Sequence, residues 1–399
     1  MYKRQELTHL AFLKTRLIFV AMTLDSLIGL APIKAHLKQS ADNGRIAHAQ
    51  IFSGANGSGT LSAAIAYARY LLCNTSKNAS NCNVKLDALS HPDLHFAFPV
   101  TTTKEVKKHP VSDNFLKYWR EFVAKNPYAD LHEWLQYIGA ENKQGLIGVE
   151  EAHQIVKKLS LKSFDGGYKV MIIWMADRMN VTAANKLLKV IEEPPSNTVF
   201  ILVTEHEDQI LETILSRCQV LQFPKIGTEP LSKALEQHLQ IAPDKAHELA
   251  HRAQGNYNTA LKLLDNKGLE EQFEKWFITW VRAAFQAKGN KSVIHRLIIW
   301  SEEIASHNRE TQKQFLLYCT DFFRQALLLN YSSPDLVFFE PRTDNFKLEN
   351  FAPFVHHNNI ENIYEALEEA LYHVDRNGSG KMIFTDLSIK LTRFLHALK

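Results

Sequence analysis

The stretch from Lys169 to Cys218 constrains the fold of this chain more than any other. Lys169–Met175 is a short apolar run containing Val and Ile, with the length and composition of a buried central strand. Asp177, Arg178 and Asn180 break it, and from Ala183 to Ile191 the apolar residues Ala183, Ala184, Leu187, Leu188, Val190 and Ile191 recur at helical spacing. Glu192-Glu193-Pro194-Pro195 stops that helix, because proline disfavours helical geometry in the residue before it. Thr198–Thr204 is a second apolar strand, and a short helix over Asp208–Leu215 leads to Ser216-Arg217-Cys218. Strand, helix and strand in this order form one crossover unit of a parallel sheet.

A second unit of the same kind lies upstream. The strand Ala49–Ser53 runs into Gly54-Ala55-Asn56-Gly57-Ser58-Gly59-Thr60-Leu61, and an alanine-rich helix follows to Leu72. Strand, glycine loop and helix are the setting of a phosphate-binding loop. A working loop places Lys and then Ser or Thr after its last glycine; the lysine reaches the terminal phosphates and the hydroxyl binds magnesium. Thr60 and Leu61 stand at those positions, so both chemical groups are missing. The backbone amides at the helix start can still hold an anion, as helix N-termini generally do.

Ala176-Asp177-Arg178-Met179, Ala183-Ala184-Asn185-Lys186-Leu187-Leu188-Lys189, the Glu-Glu-Pro-Pro stop and Leu215-Ser216-Arg217-Cys218 closely resemble the AAA+ subunits of bacterial DNA clamp loaders. The resemblance is specific over about Met22–Leu263 and only architectural beyond. It implies an α/β AAA+ fold: a P-loop NTPase-like parallel sheet with flanking helices, a small helical lid and an all-α C-terminal collar. The expected boundaries are an AAA+ domain over 22–225 with a helical insertion at about 101–147, a lid over 226–268, and an oligomerisation collar over 269–399. Residues 1–21 are expected to be an extension outside the folded module, with translation starting at Met22.

Active members of that family end the second strand in Asp-Glu-Ala-Asp, and here the sequence is Trp174-Met175-Ala176-Asp177. Neither Trp174 nor Met175 can bind a metal or accept a proton. Asn258 stands where the resemblance places a nucleotide-sensing arginine of the lid. Three parts of one ATP site are lost together, which implies a catalytically degenerate, non-motor subunit that uses no ATP of its own. Arg217, with Ser216 and Cys218 completing its motif, is then expected to act in trans. Such an arginine projects into a neighbour's ATP site and stabilises transition-state charge. The alternative for Arg217 is pairing with a carboxylate of its own chain. Cys218 reads as a small packed residue, since no base stands beside it.

The same resemblance implies a zinc module spaced C-x8-C-x2-C-x2-C. Cys73 and Cys82 keep its first spacing, but Lys85 and Ala88 occupy the other two positions, and a structural site needs four ligands. His91 and His95 precede or enter a strand over Phe96–Val100 and read as packed or surface residues, so zinc is not expected either. The four cysteines are too few and scattered for a disulfide framework, and a reducing cytoplasm fits them.

Implied partners are the ATP-binding motor subunits and a clamp-opening subunit, met through the AAA+ and collar domains, with the sliding clamp and primed DNA in the assembled ring. The formal net charge is only +3, so DNA contact has to be a local patch rather than bulk attraction. No stretch approaches the roughly 18 apolar residues of a membrane span. The insertion carries two amphipathic stripes, Phe115, Trp119, Phe122, Val123 and then Leu131, Trp134, Leu135, Ile138 behind an Asp130 cap. The run Asp375-Arg376-Asn377-Gly378-Ser379-Gly380 with Asp386 imitates a calcium loop, but Asp replaces the bidentate Glu and a plain turn between helices is expected. The competing functions are an active AAA+ ATPase, either a loader motor or a repair protein, and an inert scaffold.

Overall fold

The computed structural model describes residues 22–396 apart from 75–77, 142, 165, 266, 288–290, 332–336 and 338–345. The expected extension over 1–21, and most of an irregular break expected over Asn330–Pro341, lie outside the described residues. The chain divides into two compact units, one ending at Lys262 and the other beginning at Leu263.

The first unit runs α1 (Ala31–Asp42), β1 (Ala49–Gly54), α2 (Thr60–Asn74), α3 (Ala79–Asp87), β2 (Leu94–Ala97), α4 (Leu116–Lys125), α5 (Leu131–Tyr137), α6 (Val149–Ser160), β3 (Lys169–Trp174), α7 (Val181–Glu192), β4 (Thr198–Thr204), α8 (Glu212–Leu215), β5 (Gln219–Phe223), α9 (Thr228–Leu239), α10 (Pro243–Arg252) and α11 (Tyr257–Asp265). All pairings are parallel, in the order β2-β3-β4-β1-β5. This is the parallel sheet with flanking helices expected from the sequence. Strands β3 and β4 are buried along their whole length because helices cover both faces. Ile51, Met171, Ile173 and Leu202 pack with Ile155, Leu159 and Leu187 of α6 and α7. Phe52, Ile172, Trp174 and Val203 face the opposite way, into a core shared with α2, α4 and α5.

Local signals set the helix ends. Asn180 accepts from the Ala183 amide at 2.8 Å and starts α7, which stops at Glu192 before the two prolines. Asp130 and Glu133 form a reciprocal capping box at the start of α5. Helices α4 and α5 bury their stripes in their own domain: Trp119 stacks on Phe98 at 4.2 Å, meets Trp134 edge-on at 5.3 Å and lies 5.1 Å from Trp174.

Three expectations need correction. Cys73 and Cys82 are joined in a disulfide, neither free thiols nor part of a metal set. Cys73 on α2 and Cys82 on α3 have their Cα atoms 5.5 Å apart, within disulfide range. The helix expected over Asp208–Leu215 is a 3-10 turn at Glu207–Gln209 followed by the four-residue α8. The strand expected over Phe96–Val100 begins earlier and ends at Ala97, with Val100 making only a bridge to Leu146.

The second unit is helical: α12 (Lys267–Gln286), α13 (Lys291–Ala305), α14 (Arg309–Asn330), α15 (Leu348–Phe351), α16 (Ile360–Asp375) and α17 (Gly380–Leu395). Its aromatic core includes Phe273, Phe277, Trp280, Phe315, Phe322 and Phe323. Asp375 ends α16 and pairs with Lys313 at 2.9 Å, while Asp386 lies inside α17 against Lys390 at 2.8 Å. The calcium-like run is therefore a turn between helices. Among the described residues no helix is long and apolar enough to cross a membrane.

Candidate functional site

The glycine loop joins β1 to α2, as the motif requires, but its cradle is filled. Gly57 and Gly59 both have positive φ, which favours glycine. A Cβ on Gly57 would lie 1.9 Å from Asn256 Oδ1, and one on Gly59 would lie 3.0 Å from the Tyr128 ring. The Tyr257 amide, at the start of α11, donates to the Gly57 carbonyl at 3.2 Å. The lid helix thus sits on the loop with no layer between them. The cavity left among Thr60, Leu61, Tyr128, Trp174, Met175 and Glu205 is about 20 Å³, space for about one water.

Tyr128 fills this place through specific contacts. Its hydroxyl lies near Ile28 and Ser62, and burial pushes its phenol up to about 12. Its ring lies 4.8 Å from that of Tyr257. Trp174 and Met175 are buried beside it, Met175 with φ of 53°. Asp177, the surviving acid of the second motif, accepts from Thr204 Oγ1 at 2.9 Å and pairs with Arg178 at 3.2 Å. Glu205 follows β4 and accepts from Asn56 Nδ2 at 3.2 Å. Burial, reinforced by the charges of Asp130 and Asp177, pushes Glu205 up to about 7. Where an ATPase presents lysine to a polyphosphate, this loop faces a carboxyl group.

Asn258 is almost fully buried and ties α11 to α5. It accepts from Asn126 Nδ2 at 2.7 Å and donates to Glu133 Oε2 at 2.5 Å. One turn on, Lys262 reaches Asp130 at 2.6 Å and Glu133 at 3.2 Å. Burial pushes Asp130 up, but Lys262 and the Glu133 amide more than offset it and hold it below the carboxylate range. Glu133 is raised by burial and by the charge of Asp130.

Lys262→Met removes the cation from two half-buried acids and is expected to cost about 2 kcal/mol at neutral pH, between exposed and buried pairs. The folded pKa of both acids rises without Lys262, so the deficit is present above the usual carboxylate range and shrinks as pH falls and they protonate. Urea unfolding of both proteins at neutral and acidic pH checks this; a deficit that grows in acid contradicts it.

Arg217 stands exposed after α8, at the end of the sheet domain's crossover unit. Its Nε pairs with Glu192 at 2.9 Å and its Nη1 donates to the Thr213 carbonyl at 2.9 Å. The same-chain pairing weighed as an alternative is therefore present, through a contact that is open to solvent. Ser216 is exposed, and burial pushes the Cys218 thiol up to about 12, which leaves it a packed, unreactive group.

The structure brings Gly57, Gly59, Thr60, Leu61, Trp174 and Met175 around one small cavity, with Gly54, Asp177 and Asn258 outside its lining and Arg217 elsewhere on the unit. Tyr128 and Glu205 also line this cavity; they, with Asn256, Glu133 and Lys262, are not evident in the sequence. Only Asn256, two residues from the lid position, lay near a recognised motif. Cys73 and Cys82 are bonded to each other, and no group of three acids, histidines or cysteines placed to hold a metal occurs among the described residues.

A family model described as "DNA polymerase III, delta subunit" matches residues 30–227, about half of the chain. The DNA polymerase III subunit delta' of Bacillus subtilis is 29% identical over 264 residues, covering 64% of this chain and 64% of that protein. The delta' subunit of Pseudomonas aeruginosa is 28% identical over 57% of this chain and 58% of its own length. The tau subunit of Bacillus subtilis is 26% identical over 62% of this chain and 38% of its own. The chain thus spans less than two thirds of these relatives. Among solved structures, a DNA polymerase III gamma subunit-related protein of Thermotoga maritima overlays with a TM-score of 0.35 at 14% identity, covering 90% of this chain and 99% of that one. The RuvB Holliday junction branch migration motor of the same organism overlays with a TM-score of 0.39 at 14% identity, over 81% and 82%. The matched region carries the glycine loop, the second motif and Ser216-Arg217-Cys218, and on these matches the chain belongs to the delta prime-like branch of the DNA polymerase III clamp-loader family.

Proposed function

We propose that this chain is a non-motor clamp-loader subunit that binds no ATP and lends Arg217 to the active site of an adjoining motor subunit. One observation carries the reading: Tyr128 and Asn256 occupy the glycine-loop cradle and leave about 20 Å³ there. A nucleoside triphosphate does not fit the residues present, which offer neither the lysine nor the magnesium-binding hydroxyl and set Glu205 beside the loop. With 226–268 as lid and 269–399 as collar, the lid is held by Asn258 and Lys262 in one position, so it has no nucleotide-driven stroke. The subunit would sit in a cytoplasmic ring with motor and clamp-opening subunits, which loads the sliding clamp onto primed DNA with ATP bound elsewhere.

The test is ATP binding and turnover by the isolated chain, beside the reconstituted ring with wild-type chain or Arg217→Ala. No binding and no turnover by the isolated chain, with a large loss in the mutant ring, is the expected pair of results. Turnover by the isolated chain sinks the non-motor reading and restores the active-ATPase one. An unchanged mutant ring leaves only a scaffold.

A further inference from the structure

A larger cavity, about 270 Å³, lies along the outer edge of the sheet and approaches the lower end of ligand-sized clefts, roughly 300 Å³. Its lining includes His91, His95, Leu116, Arg120, Asp113 and Lys158. Strand β2 is the edge strand here and pairs only with β3. On the β3 side, Asp93 O accepts from Val170 N at 2.9 Å. On the outer side, Phe98 exchanges two hydrogen bonds with Ser112 Oγ, at 2.9 and 3.2 Å. Alternate residues of a strand turn their amide and carbonyl to opposite edges, so Phe96 directs both groups outward, as Leu94 does its carbonyl.

The charges beside this edge are unbalanced. Asp113 is committed to Lys158 at 2.5 Å. Arg120 is anchored by Nε on the Leu89 carbonyl at 2.9 Å and lines the cleft. No carboxylate of a described residue pairs with it. Burial, with the Lys158 charge adding to it, pushes His95 down to about 4 and keeps it neutral. The standing charge of the cleft is therefore that of Arg120.

We propose that this cleft takes an extended acidic peptide segment of a partner protein, which adds beside β2 at Phe96 and seats a carboxylate on Arg120. Main-chain bonds to the outward amide and carbonyl of Phe96 supply binding, and the guanidinium fork, matched to a carboxylate, supplies selectivity. This site is separate from the glycine loop and does not depend on Arg217 acting in trans.

The test is selection of a phage-displayed random peptide library on the full chain, repeated on Arg120→Gln and Arg120→Lys. The expected outcome is a recovered peptide with Asp or Glu at one fixed position, whose affinity falls about ten-fold on Arg120→Gln. Arg120→Lys should recover part of that loss. Hydrogen exchange on the wild-type chain with the recovered peptide should show the Phe96 amide newly protected, a reading that does not depend on how the variants fold. The proposal is overturned by recovery of no peptide, by peptides without a fixed acid, or by a Phe96 amide that exchanges as before. Protection of that amide by inorganic phosphate alone would make the cleft a small-anion pocket and overturn it equally.

Discussion

Replacing Arg217 by Ala is expected to lower single-turnover ATP hydrolysis at the adjoining motor site by about 10³-fold while leaving the fold intact. The two halves of that expectation rest on different observations. Arg217 is exposed, and its partners Glu192, Thr213 and Ser216 are solvent-open, so losing the pair costs less than about 1 kcal/mol. In trans, the guanidinium would meet charge that develops only in the transition state, where a fixed cation counts for far more than at a surface. Arg217→Lys keeps the charge without the planar fork and should recover only part of the rate. Glu192→Gln removes the same-chain partner and should leave turnover unchanged or higher. A ring containing Arg217→Ala that turns over within about two-fold of wild type would remove the finger from the account.

How far the sequence shows the fold and the site depends on where each signal resides. The sheet is legible because Lys169–Trp174 and Thr198–Thr204 are continuous apolar runs with a capped helix between them, all signals local in the chain. The losses at Thr60, Trp174 and Asn258 are legible for the same reason, since each stands at a fixed place in a local motif. What replaced the lost chemistry is not legible. Tyr128 lies in the aperiodic stretch Asn126–Asp130, and its neighbours Gly59, Ser62 and Tyr257 come from segments far apart in the chain. Asn258 reads as a missing arginine, yet its bonds to Asn126 and Glu133 exist only once α11 lies against α5. The same limit applies to Cys73 and Cys82: their spacing matches a metal module, and only the packing of α2 beside α3 shows that they meet each other.

The second large effect concerns the acid that the second motif lacks. Trp174→Asp restores a carboxylate where active relatives are expected to hold magnesium, but should destabilise the fold by at least about 4 kcal/mol and give no ATP turnover. Trp174 is 2% exposed, and its ring lies 5.1 Å from Trp119 and 6.5 Å from Phe122. Removing a buried indole costs about 3–5 kcal/mol, and a carboxyl group among these rings adds the penalty of a buried polar group without an assigned partner. Trp174→Phe keeps an aromatic ring and should cost only about 1–2 kcal/mol. Urea unfolding of the three proteins measures the difference; an Asp variant within about 1 kcal/mol of wild type would show that the position is not held by packing. Turnover should stay absent even if the variant folds, because Thr60 and Leu61 still supply no lysine or magnesium-binding hydroxyl and Tyr128 still fills the cradle. The tryptophan that removes the metal ligand is thus also a support for the helical insertion, and the insertion carries the tyrosine that closes the site. On the proposed non-motor reading, loss of the metal ligand and gain of packing are one structural change, which no single reverse substitution undoes.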